Sequence, residues 1–426
     1  MTSAPTQPTE QVEPQGLLLQ LLDPAFRADP YPLFARFREH GSFHLADGNL
    51  AVFSSYRDCD EALRHPSSSN DRLKSTAARR QIEAQTQELI AAGAEVPAQI
   101  PPGFLFLDPP DHTRLRKLVG KAFAPKVVNA LQPEITTLVD GLIERIAEKG
   151  RFEVVEDFAY PLPVAVICRL LGVPLEDEPQ FSRVSALLAQ SLDPFVAFTG
   201  TPSDNLKERM DAGMWLRAYL HGLIERRRSS PGDDLMSGLV AVEESGDQLS
   251  EEEIVSTCVL LLVAGHETTV NLIGNSILAM LRQPAQWTAL GASVGVGATR
   301  AAAVIEETLR YDPPVQMIAR TAAADMTIGG ISVPQGDIMM LLTAAAQRDL
   351  AEYDRPDVFD PDRKAMRHFG FGRGAHYCLG APLARLEATV ALSAIAARFP
   401  HARLDGEPQY KTNVTLRGLS SLAVAV

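Results

Sequence analysis

Residues 250 to 283 carry one uninterrupted helical pattern, and that run demands a large, mainly helical body around it. Ser250 followed three positions later by Glu253 spells a capping box, Glu251 and Glu252 suit the first turn, and Pro284 ends the run. At 1.5 Å per residue, roughly 32 residues span nearly 50 Å, enough to cross a domain of this size. From Cys258 to Ala264 almost every side chain is apolar, so the helix is buried all round. Polarity then enters abruptly with Ala264-Gly265-His266-Glu267-Thr268-Thr269. A glycine costs a helix interior about 1 kcal/mol, and a threonine hydroxyl bonded to its own helix carbonyls loosens the turn, so Gly265 and Thr268 are expected to open a notch. His266-Glu267 begins the zinc-protease pattern H-E-x-x-H, but position 270 is Val, which excludes it.

The second constrained segment, residues 369 to 380, reads Phe-Gly-Phe-Gly-Arg-Gly-Ala-His-Tyr-Cys-Leu-Gly. It places Cys378 where glycines end and a helix begins. Leu379, Leu383, Leu386 and Val390 recur at helical steps, and Pro382 falls in the first turn, where a missing amide proton is harmless. A thiol ordinarily titrates at about 8.5; the positive helix end and the amides of Leu379 and Gly380 are expected to favour its thiolate. Gly370, Gly372 and Gly374 let the backbone turn and approach a flat object. A phosphate loop is excluded by Tyr377 at the required glycine position, and a zinc site by the lack of any ligand nearby except His376.

The pattern F-x-x-G-x-G-x-x-x-C-x-G resembles the haem-thiolate signature of the cytochrome P-450 family. The resemblance implies haem b with Cys378 as the axial iron ligand, Phe371 shielding the sulfur, Gly372 and Gly380 permitting the loop, and His376 touching a propionate. Thiolate ligation pushes electron density onto iron and favours O–O cleavage. Ala264-Gly265-x-Glu267-Thr268 resembles the family's oxygen-activating A-G-x-[DE]-T. That implies proton relay by Glu267 and Thr268, with Ala264 and Gly265 leaving room for oxygen. Residues 108 to 116 resemble D-P-P-x-H-x-x-x-R, which, with Arg320 after Pro313-Pro314, implies propionate binding by His112, Arg116, Arg320 and His376.

Glu307 and Arg310 form an E-x-x-R pair, worth only about 0.2–0.5 kcal/mol if exposed. The resemblance implies instead a buried pair holding the core around the haem. The family's P-x-R-F arginine is missing, since the matching stretch is Pro356-Asp357-Val358-Phe359. Arg363 or Arg367 could take its place, or the pair could stand alone.

Composition sets the remaining bounds. A formal charge of −13 disfavours nucleic acid, and Cys59, Cys168, Cys258 and Cys378 follow no disulfide spacing, which suits a reducing, cytoplasmic setting. Residues 1–16 read as a disordered tail before one haem domain spanning 17–426, with no membrane anchor expected. Strand-like stretches at 43–45 and 50–53 flank Asp47-Gly48, and others fall at 326–333 and 422–426. They suggest a small mixed sheet assembled from remote segments beside the helical body, an α+β layout that is mainly α and that the resemblance also implies.

On the helix bearing His112, Arg114, Lys117 and Lys121 lie on the opposite face, and Arg373 would add charge. The resemblance implies that ferredoxin docks there, supplied by ferredoxin reductase. It places the substrate pocket among Phe104, Leu105, Val315, Met317, Ile318 and Leu416, with Ile100, Phe106, Leu187, Leu188, Phe195, Phe198 and Val414 as further lining. Residues 72–100 are a polar, weakly periodic insert, expected as a mobile lid. The function implied is monooxygenation of an apolar small molecule by O2 with electrons from NAD(P)H. A peroxide-driven peroxygenase would usually lack the Glu267-Thr268 pair, and a haem sensor would need neither pair nor pocket.

Overall fold

A computed structural model describes residues 13–91, 101–189, 206–244, 249–292, 297–364 and 366–426. The expected long helix is Glu251–Leu281, and its Ser250–Glu253 capping box is formed in both directions. Around it pack helices Pro161–Leu171, Glu178–Ala189, Leu206–Ser229, Gly297–Tyr311 and Ala381–Arg398, the last being the cysteine helix. The central helix is long and apolar enough to cross a membrane by composition, but most of its apolar window is buried in the protein. Beyond its first turn only Val259, Ala264, Gly265, Thr268 and Ala279 escape full burial. The helix runs unbroken through residues 264–269, because Thr268 and Thr269 donate to Ala264 O (2.7 Å) and Gly265 O (2.8 Å) without displacing the ladder. The notch is therefore a gap in side chains, and the backbone is continuous.

Phe43–Leu45 and Leu50–Phe53 form the expected hairpin, with Phe43 opposite Val52. The rest of the sheet differs from expectation. Leu50–Phe53 pairs in parallel with Ile338–Leu341, which pairs antiparallel with Ile318–Ala322, and Ser68–Ser69 closes the far edge. Met326–Ile328 and Ile331–Val333 make a separate hairpin turned by Gly329-Gly330, both at positive φ. Ala423–Ala425 lies in a third sheet, between Arg151–Glu153 and Arg403–Leu404. Burial explains the division. Leu50–Phe53 is buried at every position and Ile338–Leu341 at three of four, so each needs neighbours on both faces, whereas 326–328 and 423–425 alternate wet and dry.

Helix Pro14–Leu22 begins inside the segment read as a tail and buries Leu17 and Leu21 beside Leu33 and Phe34; residues 1–12 lie outside the described ones. The 72–100 insert contains a turn at Arg72–Lys74 and a helix at Thr76–Ala91, and its last nine residues, 92–100, lie outside the described ones.

Candidate active site

The cysteine loop folds as its glycines require. Gly372 and Gly374 sit at φ +68° and +69°, and a Cβ at Gly374 would approach Leu63 O to 2.7 Å. Cys378 N donates to Phe371 O at 2.8 Å, and the helix starts at Ala381 with Pro382 in its first turn. Phe371 is nearly buried, under the Arg385 guanidinium at 4.5 Å. The thiol departs from expectation. Burial pushes it above the ordinary thiol range and outweighs the amides of Gly380 and Ala381 and the charges of Arg116 and Arg385. The helix end alone does not offset that burial. The amides concerned are those of Gly380 and Ala381, one residue later than the expected pair.

Four basic side chains converge beside this loop. The rings of His112 and His376 lie 4.0 Å apart, and His112 Nδ1, His112 Nε2 and His376 Nδ1 are buried with no partner. Arg320 is 9% exposed, and among the described residues its one hydrogen bond runs to Ala319 O at 2.8 Å. Arg116 reaches Tyr377 O. Burial, then His112 and Arg320, push His376 down to about 3, and burial lowers Arg320 to about 10. Buried donors without acceptors are unfavourable until something anionic arrives. The set fits the two carboxylates of a haem.

On the central helix, the opening at Ala264, Gly265 and Thr268 is real space. A Cβ on Gly265 would meet only Ile167 Cδ1, at 3.9 Å. Glu267 is buried and turned elsewhere. Its carboxylate accepts from Lys411, which also donates to Asn271 Oδ1 at 3.1 Å. Successive helix residues point about 100° apart, so Glu267 and Thr268 do not share a face. His266, fully buried, meets Ser185 Oγ at 3.1 Å and the edge of Tyr160; burial and then Lys411 push it down to about 3. Lys411 carries no signal in its local sequence.

Glu307 and Arg310 are fully buried in a bidentate pair at 2.7 and 2.8 Å. Arg310 also donates to Gln347 O, Pro356 O and Val358 O. Arg363 supplies the third charge, its Nε 3.7 Å from Glu307 Oε2, while Arg367 pairs with Glu352. Glu306, passed over in the sequence, binds Arg385 at 2.6 Å and His368 at 3.1 Å. Burial alone would raise its pKa, but those two bonds hold it at about 2.

The pocket residues divide. Leu105, Val315 and Ile318 are half-buried, Val315 bridges Leu416, and Phe104 is buried near His112 at 6.4 Å. Ile318 and Arg320 share one strand face; Met317 takes the other and packs with Leu17, Leu33 and Phe34, so it belongs to the core and not the pocket. Val414 joins the same cluster. Ile100, Phe195 and Phe198 lie outside the described residues. Of the basic patch, Lys117 and Lys121 are exposed. Arg114 is engaged with Glu253 at 2.5 Å, and Arg373 with Tyr56 Oη at 2.6 Å and Asp60 at 3.3 Å.

The family model for cytochrome P-450 matches residues 74–291 and 301–421. The chain is 39% identical over 414 residues to a vitamin D(3) 25-hydroxylase of Pseudonocardia autotrophica, covering 95% of this chain and 96% of the relative. The crystal structure of ligand-free CYP164A2 from Mycobacterium smegmatis is similar at TM-score 0.89 and 63% identity, covering 97% of this chain and all of that one. A Bacillus megaterium relative, CYP109E1 in complex with testosterone, is similar at TM-score 0.81 and 31% identity, over 95% and 99% of the two chains. With a cysteine loop, partnerless propionate-type donors and an open glycine on the facing core helix all in one chain of matching length, this protein belongs to the cytochrome P-450 family of haem-iron monooxygenases.

Proposed function

We propose that the protein hydroxylates or epoxidises an apolar organic substrate with O2, drawing electrons from NAD(P)H through ferredoxin reductase and ferredoxin, in the cytoplasm. The observation that carries this reading is the set of buried, partnerless ring nitrogens of His112 and His376 beside the Cys378 loop, with the buried guanidinium of Arg320 next to them. They would hold the propionates of haem b, and Cys378 would ligate its iron. When bound, that haem supplies oxygen activation and transfer to a C–H or C=C bond.

The chain's own residues supply binding and protons. Gly265 leaves the core helix open, so a small molecule can lie against its backbone. Thr268 gives its hydroxyl proton to Ala264 O, so the lone pairs of Oγ1 are left to accept from a proton donor in the opening. Glu267 is the nearby carboxyl for proton exchange. Because it faces Lys411, a proton passing between it and Thr268 travels through water. Half-buried Leu105, Val315 and Ile318 offer an apolar wall. The vitamin D(3) and testosterone named for two relatives are bulky and mostly hydrocarbon, which supports an apolar substrate class. Exposed Lys117, on the same helix as Arg116, and exposed Lys121, in the turn that follows it, support docking of an acidic ferredoxin.

Turnover with NADPH, reductase and ferredoxin, compared with peroxide alone, tests the proposal; turnover confined to peroxide would refute it. Thr268→Ala should lower product and raise hydrogen peroxide, and unchanged coupling would remove Thr268 from the relay. Cys378→Ser should abolish the red-shifted Soret band of the reduced carbon monoxide complex, and its retention would mean another ligand.

A further inference from the structure

Behind the opening at Gly265, the structure gathers a polar cluster that the family motifs do not include. Lys411 follows strand Gln409–Tyr410 in the hairpin that returns through Leu419–Ser421. Its ammonium bridges Glu267 and Asn271, which stand one helical turn apart on the central helix. Several groups around this bridge lack partners. Asn271 Nδ2, Tyr410 Oη, Gln316 Oε1 and His266 Nε2 are all buried and unbonded. Gln316, Tyr410 and Lys411 also line a cavity of about 20 Å³ between the N-terminal helices and the hairpin, walled opposite by Leu21, Leu33 and Phe34. A water needs roughly 10–15 Å³ of such space and two to four polar partners, so this cavity suits one.

We propose that Lys411 is the positioning residue for Glu267, and that the cavity beside it admits the water that returns protons to this carboxyl. The inference rests on the reading of Glu267 as the proton-exchanging acid. A glutamate has three rotatable bonds; an ammonium shared with Asn271 confines it to one pose, and confinement of a reacting group is where rate is gained or lost. The Glu267 carboxylate takes a proton from water that enters past Lys411, passes it toward the Thr268 face and is a carboxylate again, and the water recovers its proton from solvent. Nothing but a solvent proton is consumed.

A lysine that merely pinned the hairpin to the helix would change stability and leave the partition of electrons untouched. Lys411→Met, Lys411→Arg and Glu267→Gln are therefore compared in the haem-loaded enzyme with its reductase and ferredoxin. The first readout is hydrogen peroxide formed per product. The second is the infrared carboxylate band of the resting protein that disappears in Glu267→Gln. Lys411→Met and Glu267→Gln should each raise the peroxide-to-product ratio on the order of tenfold, with Lys411→Arg within about twofold of the parent. The Glu267 band should shift in Lys411→Met and hold its place in Lys411→Arg. An unchanged ratio and band in Lys411→Met, alongside an impaired Glu267→Gln, overturns this inference alone. An unchanged ratio in Glu267→Gln overturns the relay reading and this inference with it. Should Lys411→Met not fold, Tyr410→Phe decides: a larger solvent deuterium effect on product formation supports the inlet, and a parental value overturns it.

Discussion

Replacing Arg310 by methionine tests the physical core of the site most severely. The guanidinium makes five hydrogen bonds in full burial: two to Glu307 and one each to Gln347 O, Pro356 O and Val358 O. Methionine keeps much of the volume, so the cavity contribution is small and the loss is electrostatic. Breaking a buried pair by removing one member costs about 3–5 kcal/mol, because a charge is left without compensation. Here Glu307 keeps the Asp360 amide at 2.8 Å and the Arg363 charge at 3.7 Å, which places the change toward about 3 kcal/mol. Two orphaned carbonyls, Gln347 O and Pro356 O, push it back toward about 5, while Val358 O keeps its bond from Arg363. With an unfolding entropy of roughly 2 cal/mol/K per residue, the 426-residue chain carries about 0.9 kcal/mol/K, so the melting temperature should fall by about 3–6 °C. Circular dichroism melts of the purified protein measure it directly. A midpoint within about 1 °C of the parent would refute the reasoning, since it would mean that this buried network is no stronger than an exposed pair.

Four other outcomes are expected. Gly265→Val should keep the parental melting temperature within about 1 °C, because open space receives the side chain, yet cut product formation at least about tenfold. Arg320→Leu should leave the haem-free protein no less stable, since it removes a buried charge with little compensation, while haem transfer to an acceptor apoprotein speeds up about 10- to 100-fold. Glu306, held at about 2 against an ordinary 4.5, stabilises the fold fully above pH 4.5, and that contribution should fade as pH falls toward 2; acid titration of the melting temperature should show a shallower fall in Glu306→Gln. Lys117→Glu with Lys121→Glu should raise the KM for ferredoxin at low ionic strength and lose that effect at high salt, with peroxide-driven turnover unchanged.

What the sequence disclosed, it disclosed through local spacing. The central helix was legible because a capping box and an apolar run are contiguous, and the cysteine loop because four glycines fall within twelve residues that lead into a helix. Lys411 was not, since it meets Glu267 across 144 positions and resembles any surface lysine. Adjacent letters do not disclose direction: the helix turns Glu267 and Thr268 to different surroundings. The same alternation, at period two, separates Met317 from Ile318. Ile318–Ala322 reads Ile-Ala-Arg-Thr-Ala, poor strand material by itself, and pairs only because Ile338–Leu341 and Ser68–Ser69 flank it. Cys378 differs for another reason, because a sequence shows the helix end that favours a thiolate but not the surroundings that oppose it.

The sheet that carries Arg320 joins Leu50–Phe53 to Ile338–Leu341, and Asn49 reaches Asp337 across 288 residues of chain. During synthesis at roughly 5–20 residues per second, the early hairpin therefore waits about 15–60 s for its partner. Its inner strand, buried at every position in the finished protein, is an exposed apolar edge for that whole interval. Assembly of the propionate donors is thus a late event, bounded by ribosome speed and by whatever shields residues 50–53 meanwhile. Yield of the intact protein in a cell should respond to translation rate and holdase chaperones before it responds to haem supply.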